Sequence, residues 1–154
     1  ADSCVTDFVA KFKQSPNWNN SIVLIVADHG HRLPATRNRI EDFKIPLLIL
    51  GGALTQKNIT VTHSSSQADI ATTLLQQTGT TPNPFPFGKN LFQPNNAWAY
   101  FSFNNGFGYV QPGKYLLYDN VGKSIFEQAG NADAGMLQRG QVLQQETVAD
   151  FLSR

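Results

Sequence analysis

Cysteine and charge are both scarce in this sequence, and each scarcity excludes a class of protein. The 154 residues include one cysteine, Cys4, so the chain forms no internal disulfide and no cysteine-based metal site. Only 15% of the residues are charged, and no cluster of Lys and Arg stands out, which excludes the basic footprint of a nucleic-acid-binding protein. Long apolar runs are missing too, because none approaches the roughly 18 residues that suggest a membrane span.

The composition that remains is that of a globular protein. Hydrophobic residues make up 41% of the chain, which is enough to build a buried core and is not typical of a disordered segment. The length fits one domain or a piece of a larger one. The N-terminus does not resemble a signal peptide, so any targeting segment of an exported protein is expected to lie outside this chain.

The first half of the sequence alternates helix-like and strand-like segments. Apolar spacing predicts an amphipathic helix over residues 2–14 and a helix over 66–79 that is capped by serines and closed by Gly79. Apolar or alternating runs predict a buried strand over 21–27, a second strand over 44–50 and a short strand over 58–63. This order indicates α/β units of a parallel or mixed sheet.

The second half changes to a period of two. Strands are predicted over 98–103, 108–111, 114–118 and 124–127, joined by turns rich in Asn and Gly. We predict an antiparallel sheet that packs on a C-terminal helix.

That helix is predicted over residues 133–152, with core contacts from Met136, Leu137, Leu143, Val148 and Phe151. The two parts, 1–97 and 98–154, are expected to belong to one composite α/β domain.

Asp28 and His29 follow directly on the apolar run 21–27 and are the strongest candidates for a site. Open α/β sheets place their ligands at the carboxyl ends of strands. A carboxylate oxygen and an imidazole nitrogen together suit Zn²⁺ or Mn²⁺, and Gly30 lets the chain turn tightly behind them. A polar loop at the end of a strand is the alternative.

His31 and Arg32 complete the motif with hydrogen-bond donors suited to a phosphate or sulfate group. They are our candidate substrate-binding residues. The alternatives are a histidine on the rim of the site, and an arginine that pairs with Glu41 or Asp42 in solvent.

Several segments match one protein superfamily in sequence order. Residues 27–34 read Ala-Asp-His-Gly-His-Arg-Leu-Pro, and residues 66–75 read Ser-Gln-Ala-Asp-Ile-Ala-Thr-Thr-Leu-Leu. These segments resemble the sulfatase and lipoteichoic-acid-synthase branch of the alkaline phosphatase superfamily. Shorter matches over 1–8, 17–23, 45–49, 88–91 and 99–101 extend the resemblance to about residue 110.

The resemblance implies the C-terminal portion of an alkaline-phosphatase-like catalytic domain. It assigns Asp28 and His29 to a divalent metal ion, which could be Mn, Zn, Mg or Ca. The nucleophile of the family lies upstream of the Asp-His-Gly element. Cys4 does not stand in the Cys-x-Pro-x-Arg element of sulfatases and is interpreted as a small helix residue. We therefore expect this chain alone to be inactive.

Within the superfamily, residues 27–34 resemble the lipoteichoic-acid-synthase group more than the arylsulfatases. This implies a phosphoglycerol transferase of the bacterial cell membrane whose catalytic domain is extracytoplasmic. The partner would be a phosphate or sulfate ester, either a small molecule or a lipid head group, and segments absent from this chain would contact the membrane. An anion-binding or interaction module without catalysis is the alternative, and an uncovered apolar surface would favour self-association.

Of three further features, two have two interpretations each and Asp69 has one. His63 is either a second-metal ligand, as later histidines are in related superfamily members, or a histidine at a helix start. Asp69 is interpreted as a structural carboxylate in the first turn of its helix, where the helix dipole favours it. The segment 104–109 either needs Gly106 and Gly108 for a hairpin or faces the substrate.

Overall fold

Two units make up the chain, residues 1–59 (unit 1) and residues 60–154 (unit 2). The computed structural model describes residues 2–30, 38–55, 57–80, 84–93, 95 and 97–154. No helix within these ranges combines the length and the apolar character that crossing a bilayer requires.

The described residues of unit 1 form two helices, a 3₁₀ turn and two short strands. In chain order they are α1 (Asp2–Phe12), the 3₁₀ turn (Trp18–Asn20), β1 (Val23–Val26), α2 (Arg39–Asp42) and β2 (Leu47–Leu50). The two strands form an antiparallel pair in which Val23 lies opposite Leu50. The helix and both strands predicted from the sequence are therefore present, each somewhat shorter than predicted.

The strands of unit 1 pair differently from the expectation of a parallel or mixed sheet. The described residues of this unit include no parallel strand pair. All four residue pairs, from Val23 opposite Leu50 to Val26 opposite Leu47, are in antiparallel register. The 20 residues that connect the strands therefore return the chain in the opposite direction beside β1.

Burial in unit 1 is also lower than the sequence predicts. Val26 is 38% exposed and Leu48 is 50% exposed, so the apolar strands are partly buried rather than buried. No residue of α1 is buried; Phe8 and Phe12 stack on each other with ring centroids 5.7 Å apart. A two-stranded sheet cannot cover both of its faces, which is why these side chains stay accessible.

Unit 2 contains a helix, a four-stranded antiparallel meander and a long C-terminal helix. The elements are α3 (Asp69–Gln77), β3 (Ala99–Phe103), β4 (Gly106–Gln111), β5 (Lys114–Asp119), β6 (Ser124–Ala129) and α4 (Ala134–Ser153). The strands lie in the order β3-β4-β5-β6, each antiparallel to its neighbour. The predicted α/β class, with an antiparallel sheet and a C-terminal helix, is confirmed.

The core of unit 2 lies between the sheet and α4. Phe107, Tyr109, Leu116 and Met136 form a buried cluster. Gly140 permits the close approach of α4, because a Cβ at this position would lie 2.1 Å from Cε2 of Phe107. The helix can therefore pack directly against an aromatic ring of the central strand.

The distal half of α4 does not contribute the predicted core contacts. Met136 is buried, and Leu137 and Leu143 pack against the cluster, as predicted, but Val148 is 52% exposed and Phe151 is 76% exposed. Twenty helical residues extend about 30 Å, whereas six-residue strands extend about 20 Å. The helix is longer than the sheet, so its last turns have no sheet beneath them.

The two glycines of β4 are explained by the neighbouring strand. A Cβ at Gly108 would lie 2.1 Å from the ring of Phe101, and a Cβ at Gly106 would lie 2.5 Å from the ring of Phe103. The rings of β3, and at Gly106 also the Tyr118 carbonyl oxygen of β5 at 2.2 Å, therefore occupy the space that a side chain would need. The turn itself uses Asn105, whose φ is 66°. The glycines thus serve side-chain packing across the strands.

The predicted strand over 58–63 is wrong. Residues 57–63 are all described, and none of them is in a strand. Asn58 has a left-handed φ of 59°, which interrupts an extended run. The alternating pattern of β-branched residues in this segment instead belongs to exposed, irregular chain.

Candidate metal-binding site

Asp28 and His29 lie in the loop that follows β1. Ala27 between strand and loop still donates its N–H to the Pro46 carbonyl, at 3.4 Å. The side chains of Asp28 and His29 are 89% and 80% exposed. The Asp28 carboxylate accepts a hydrogen bond from the His29 backbone N–H at 3.0 Å. The short loop therefore presents both candidate ligands together to solvent.

The His29 ring is oriented by its own backbone. Its Nδ1 lies 2.8 Å from the Gly30 carbonyl oxygen. Because a carbonyl oxygen only accepts, Nδ1 carries the hydrogen in this contact, and Nε2 of the neutral ring keeps its lone pair. A second hydrogen bond of this kind is typical of histidines that bind metals.

The separation of the two ligand atoms fits a shared ion. Nε2 of His29 lies 3.7 Å from Oδ1 of Asp28. Zinc lies about 2.0–2.1 Å from histidine nitrogen and about 2.0–2.2 Å from carboxylate oxygen, so one ion can contact both atoms. The donor types and their spacing therefore fit a divalent metal ion.

Two ligands do not complete such a site. Within the described ranges, no group of three or more His, Cys, Asp and Glu side chains could hold a metal ion. His31 and Arg32, our candidate substrate-binding residues, lie outside the described residues, so their predicted roles stay predictions. A closed coordination shell needs further ligands.

Gly30 has a different role from the tight turn that we expected. Its φ is not in the left-handed region. A Cβ at this position would instead lie 1.8 Å from the Asp42 carbonyl oxygen and 3.2 Å from Cα of Phe43. The glycine is required because the loop passes directly over the end of α2. This contact fixes the position of the backbone that carries His29.

The structure also describes the surroundings of Cys4, His63 and the 104–109 segment. Cys4 is exposed on α1 and forms no disulfide. His63 is partly buried, and its carbonyl oxygen accepts a weak hydrogen bond from Ser65 at 3.5 Å. Phe107 and Tyr109 of the 104–109 segment belong to the core, with 0% and 2% exposure, and the substrate-facing role of this segment stays a prediction.

Asp69 is the centre of a buried polar network in unit 2. It is fully buried at the first residue of α3, as expected for a structural carboxylate. Its two oxygens accept backbone hydrogen bonds from Ser66 at 2.7 Å and from Lys89 at 3.0 Å. The Lys89 ammonium also donates to this carboxylate, and Lys89 is only 9% exposed. The predicted serine cap is replaced by this arrangement, because the N-cap residue Ala68 makes no side-chain cap.

Lys89 is the residue that the sequence analysis missed. Its ammonium lies 4.5 Å from the ring centroid of Trp98, so an ion pair and a cation–π contact hold the same side chain. Ser66 adds a link to β3, since its hydroxyl accepts from the Tyr100 N–H at 2.8 Å. The network joins α3, the 84–91 segment and β3. The sequence feature that could have identified Lys89 is its position as a lone lysine in an apolar segment.

Comparison with known proteins agrees with this architecture. A protein of the alkaline phosphatase superfamily from Vibrio parahaemolyticus has a similar structure, with a TM-score of 0.68 and 21% sequence identity. The alignment covers 90% of this chain and 37% of that protein, so this chain spans little more than a third of its length. The expected alkaline-phosphatase-like fold is therefore confirmed.

A family model decides the membership. The model described as Sulfatase matches residues 1–80, which include α1, the Asp28–His29 loop and α3. The match covers more than half of the chain and includes the two main segments of the resemblance, 27–34 and 66–75. On this evidence the chain belongs to the sulfatase family.

Proposed function

We propose that Asp28 and His29 are two ligands of a catalytic divalent metal ion in a hydrolase or transferase of phosphate or sulfate esters. The observation that carries this proposal is the shared presentation of Nε2 of His29 and Oδ1 of Asp28, 3.7 Å apart and both open to solvent. Membership of the sulfatase family supports the reaction class. When bound, the metal would polarise the ester and lower the pKa of a nucleophile.

The remaining residues of the motif have complementary roles in this proposal. Gly30 positions the loop through its contact with Asp42 and orients the His29 ring through its carbonyl. His31 and Arg32 would bind the transferred phosphate or sulfate group, because guanidinium and imidazole donors neutralise the charge that develops on it. The nucleophile would come from a part of the parent protein outside this chain.

Lipoteichoic-acid-synthase-like phosphoglycerol transfer is the finer proposal. It rests on the resemblance of residues 27–34 and would place the catalytic domain outside the cytoplasm of a bacterial cell. A phosphoglycerol ester hydrolysed faster than an aryl sulfate by the parent protein would support it. The reverse preference would favour a sulfatase.

Calorimetric titration with Mn²⁺ and with Zn²⁺ tests the metal ligands. We expect Asp28→Ala and His29→Ala each to weaken binding at least tenfold, since each removes one of two placed donors. Asp7→Ala is the matched control, because Asp7 is an exposed carboxylate paired with Lys11 at 2.7 Å on α1. Circular dichroism should show the same fold for all variants. Equal affinity of wild type and the Asp28→Ala variant would contradict the assignment and favour a non-catalytic module.

A second measurement separates ligand binding from turnover. We expect the 154-residue chain to release no p-nitrophenol from p-nitrophenyl sulfate or phosphate, with or without added metal. The physical reason is that two metal ligands and no placed nucleophile do not form a complete site. Robust turnover that is lost in the Asp28→Ala variant would show that the chain already contains its nucleophile.

A further inference from the structure

A cleft in unit 2 has neither Asp28 nor His29 in its lining. Its volume is about 810 Å³, within the range of about 300–1,000 Å³ that is typical of ligand pockets. Its walls are α4, the β4–β5 turn and the segment that leads into β3. The side chains that matter here are Trp98, Gln111, Lys114, Gln138, Arg139 and Val142.

The charge of the lining is of one sign. Lys114 and Arg139 contribute two cations, and no Asp or Glu is among the described residues that line the cleft. Lys114 is partly neutralised, because its ammonium forms a 2.9 Å ion pair with Asp133 outside the lining. Arg139 is exposed and forms no ion pair with another residue of the described chain. Its guanidinium is thus available for an anion, which it can bind with two parallel hydrogen bonds.

The uncharged lining matches a hydroxylated molecule. Gln111 and Gln138 each offer a carbonyl acceptor and an amide donor, and hydroxyl groups use both. Trp98 and Val142 provide apolar wall beside them, suited to the C–H groups of a carbon skeleton. A bare inorganic anion without a hydrogen to donate would leave the two amide carbonyls and the apolar wall unused.

We propose that this cleft binds an anionic sugar derivative, with Arg139 holding its phosphate or sulfate ester group. Gln111 and Gln138 bind the hydroxyl groups, and the carbon skeleton lies against Trp98 and Val142. The cleft is formed by unit 2 alone, so this site does not depend on the metal proposed at Asp28 and His29.

The fluorescence of Trp98 can report ligand binding in the cleft directly. The chain contains two tryptophans, Trp18 and Trp98, so the Trp18→Phe variant carries a single fluorescent reporter in the wall of the cleft. Titrations use glucose 6-sulfate, glucose 6-phosphate, glucose and sodium sulfate, all with EDTA present to exclude metal. We expect a saturable fluorescence change with the two esters, at affinities at least tenfold higher than with glucose or inorganic sulfate. The ratio between the two esters identifies which anion is preferred.

Arg139→Gln should weaken binding of the preferred ester at least tenfold. Arg154→Gln is the matched control, because it removes the same charge at the C-cap of α4, about 22 Å further along the helix axis at about 1.5 Å per residue. Calorimetry on the wild-type chain repeats the measurement without relying on fluorescence. Absence of saturable binding by both methods would overturn the proposal. So would equal affinity for sodium sulfate or glucose, or an equal loss in the Arg154→Gln variant.

Discussion

The two units of this chain have similar apolar patterns but very different interiors. Six of the seven buried hydrophobic residues among the described positions lie in unit 2, and Ile40 is the one in unit 1. All four buried polar or charged residues also lie in unit 2. Unit 1 instead exposes half of Phe8 and half of Leu48.

The difference in burial follows from the number of packed layers of secondary structure in each unit. Unit 2 covers one face of a four-stranded sheet with a helix, so alternating residues on that face become buried. Unit 1 has two strands, and its helix α1 buries none of its residues. An apolar strand therefore indicates a face that another element must pack against. The number of packed layers decides whether a core forms there. The burial of a residue should then determine how much its substitution lowers the free energy of unfolding.

The sharpest contrast is between two ion pairs. Asp69→Ala removes the buried partner of Lys89 and two backbone hydrogen bonds, so we expect the free energy of unfolding to fall by about 3–5 kcal/mol. Asp7→Ala breaks the exposed pair with Lys11 and should cost about 0–1 kcal/mol. Urea denaturation followed by circular dichroism measures both. The double variant Asp69→Ala/Lys89→Met should lose less than Asp69→Ala alone; a larger loss would argue against an unpaired buried charge.

The next largest expected effect on stability compares the same substitution at two phenylalanines, one in each unit. Phe107→Leu changes a fully buried ring in the centre of unit 2, and we expect a loss of about 1–3 kcal/mol. Phe8→Leu changes a ring that is 52% exposed, and the loss should stay within about 0.5 kcal/mol. The same denaturation experiment compares them. Equal losses would mean that unit 1 has a core of comparable quality in solution.

The smallest effect concerns the start of α4. A hydrogen bond from Lys114, with a second from the Met136 N–H, holds the pKa of the Asp133 carboxyl below its usual 3.8. A lowered pKa in the folded state means that ionised Asp133 stabilises the fold above pH 3.8 and that this contribution disappears as the pH falls through the lowered pKa.

The Asp133→Asn variant isolates the charge, because asparagine is an equally good N-cap. We expect a slightly lower Tm than wild type near neutral pH, and a difference that closes on acidification below pH 3.8. Thermal unfolding at a series of pH values provides the measurement. A difference that does not change with pH would assign the effect to the cap geometry.

The sequence predicted local features of the fold well. The strands β3 to β6 follow one another through short turns, so the period of two and the Asn-Gly turns contain most of the information that the structure needs. The same holds for α4, whose apolar spacing and Asp133 cap are local. The antiparallel pairing of β1 with β2 could not be read in this way, since it depends on where a 20-residue connection leads the chain.

The residues of the candidate site and of the buried network show the same contrast between local and distant information. Asp28 and His29 are adjacent and were identifiable from their position after a strand. Lys89 was not, because its partner Asp69 is 20 residues away across an irregular segment and no periodicity connects them. The prediction of a strand over 58–63 was wrong although the local pattern is typical of one. The described chain contains no strand that pairs with this segment.

The contact of Gly30 with the end of α2 has a consequence for saturation mutagenesis of this loop. Every substitution at Gly30 places a Cβ within 1.8 Å of the Asp42 carbonyl oxygen, so even alanine must displace the loop or α2. A selection for activity would therefore rank Gly30 beside Asp28 and His29, although it contributes no side chain to an ion. Second-site changes that shift the backbone at the end of α2 away from the loop would rescue a Gly30 variant, but they could not rescue the loss of a proposed ligand. Second-site suppression thus distinguishes the residue that shapes the loop from the residues proposed to bind the ion.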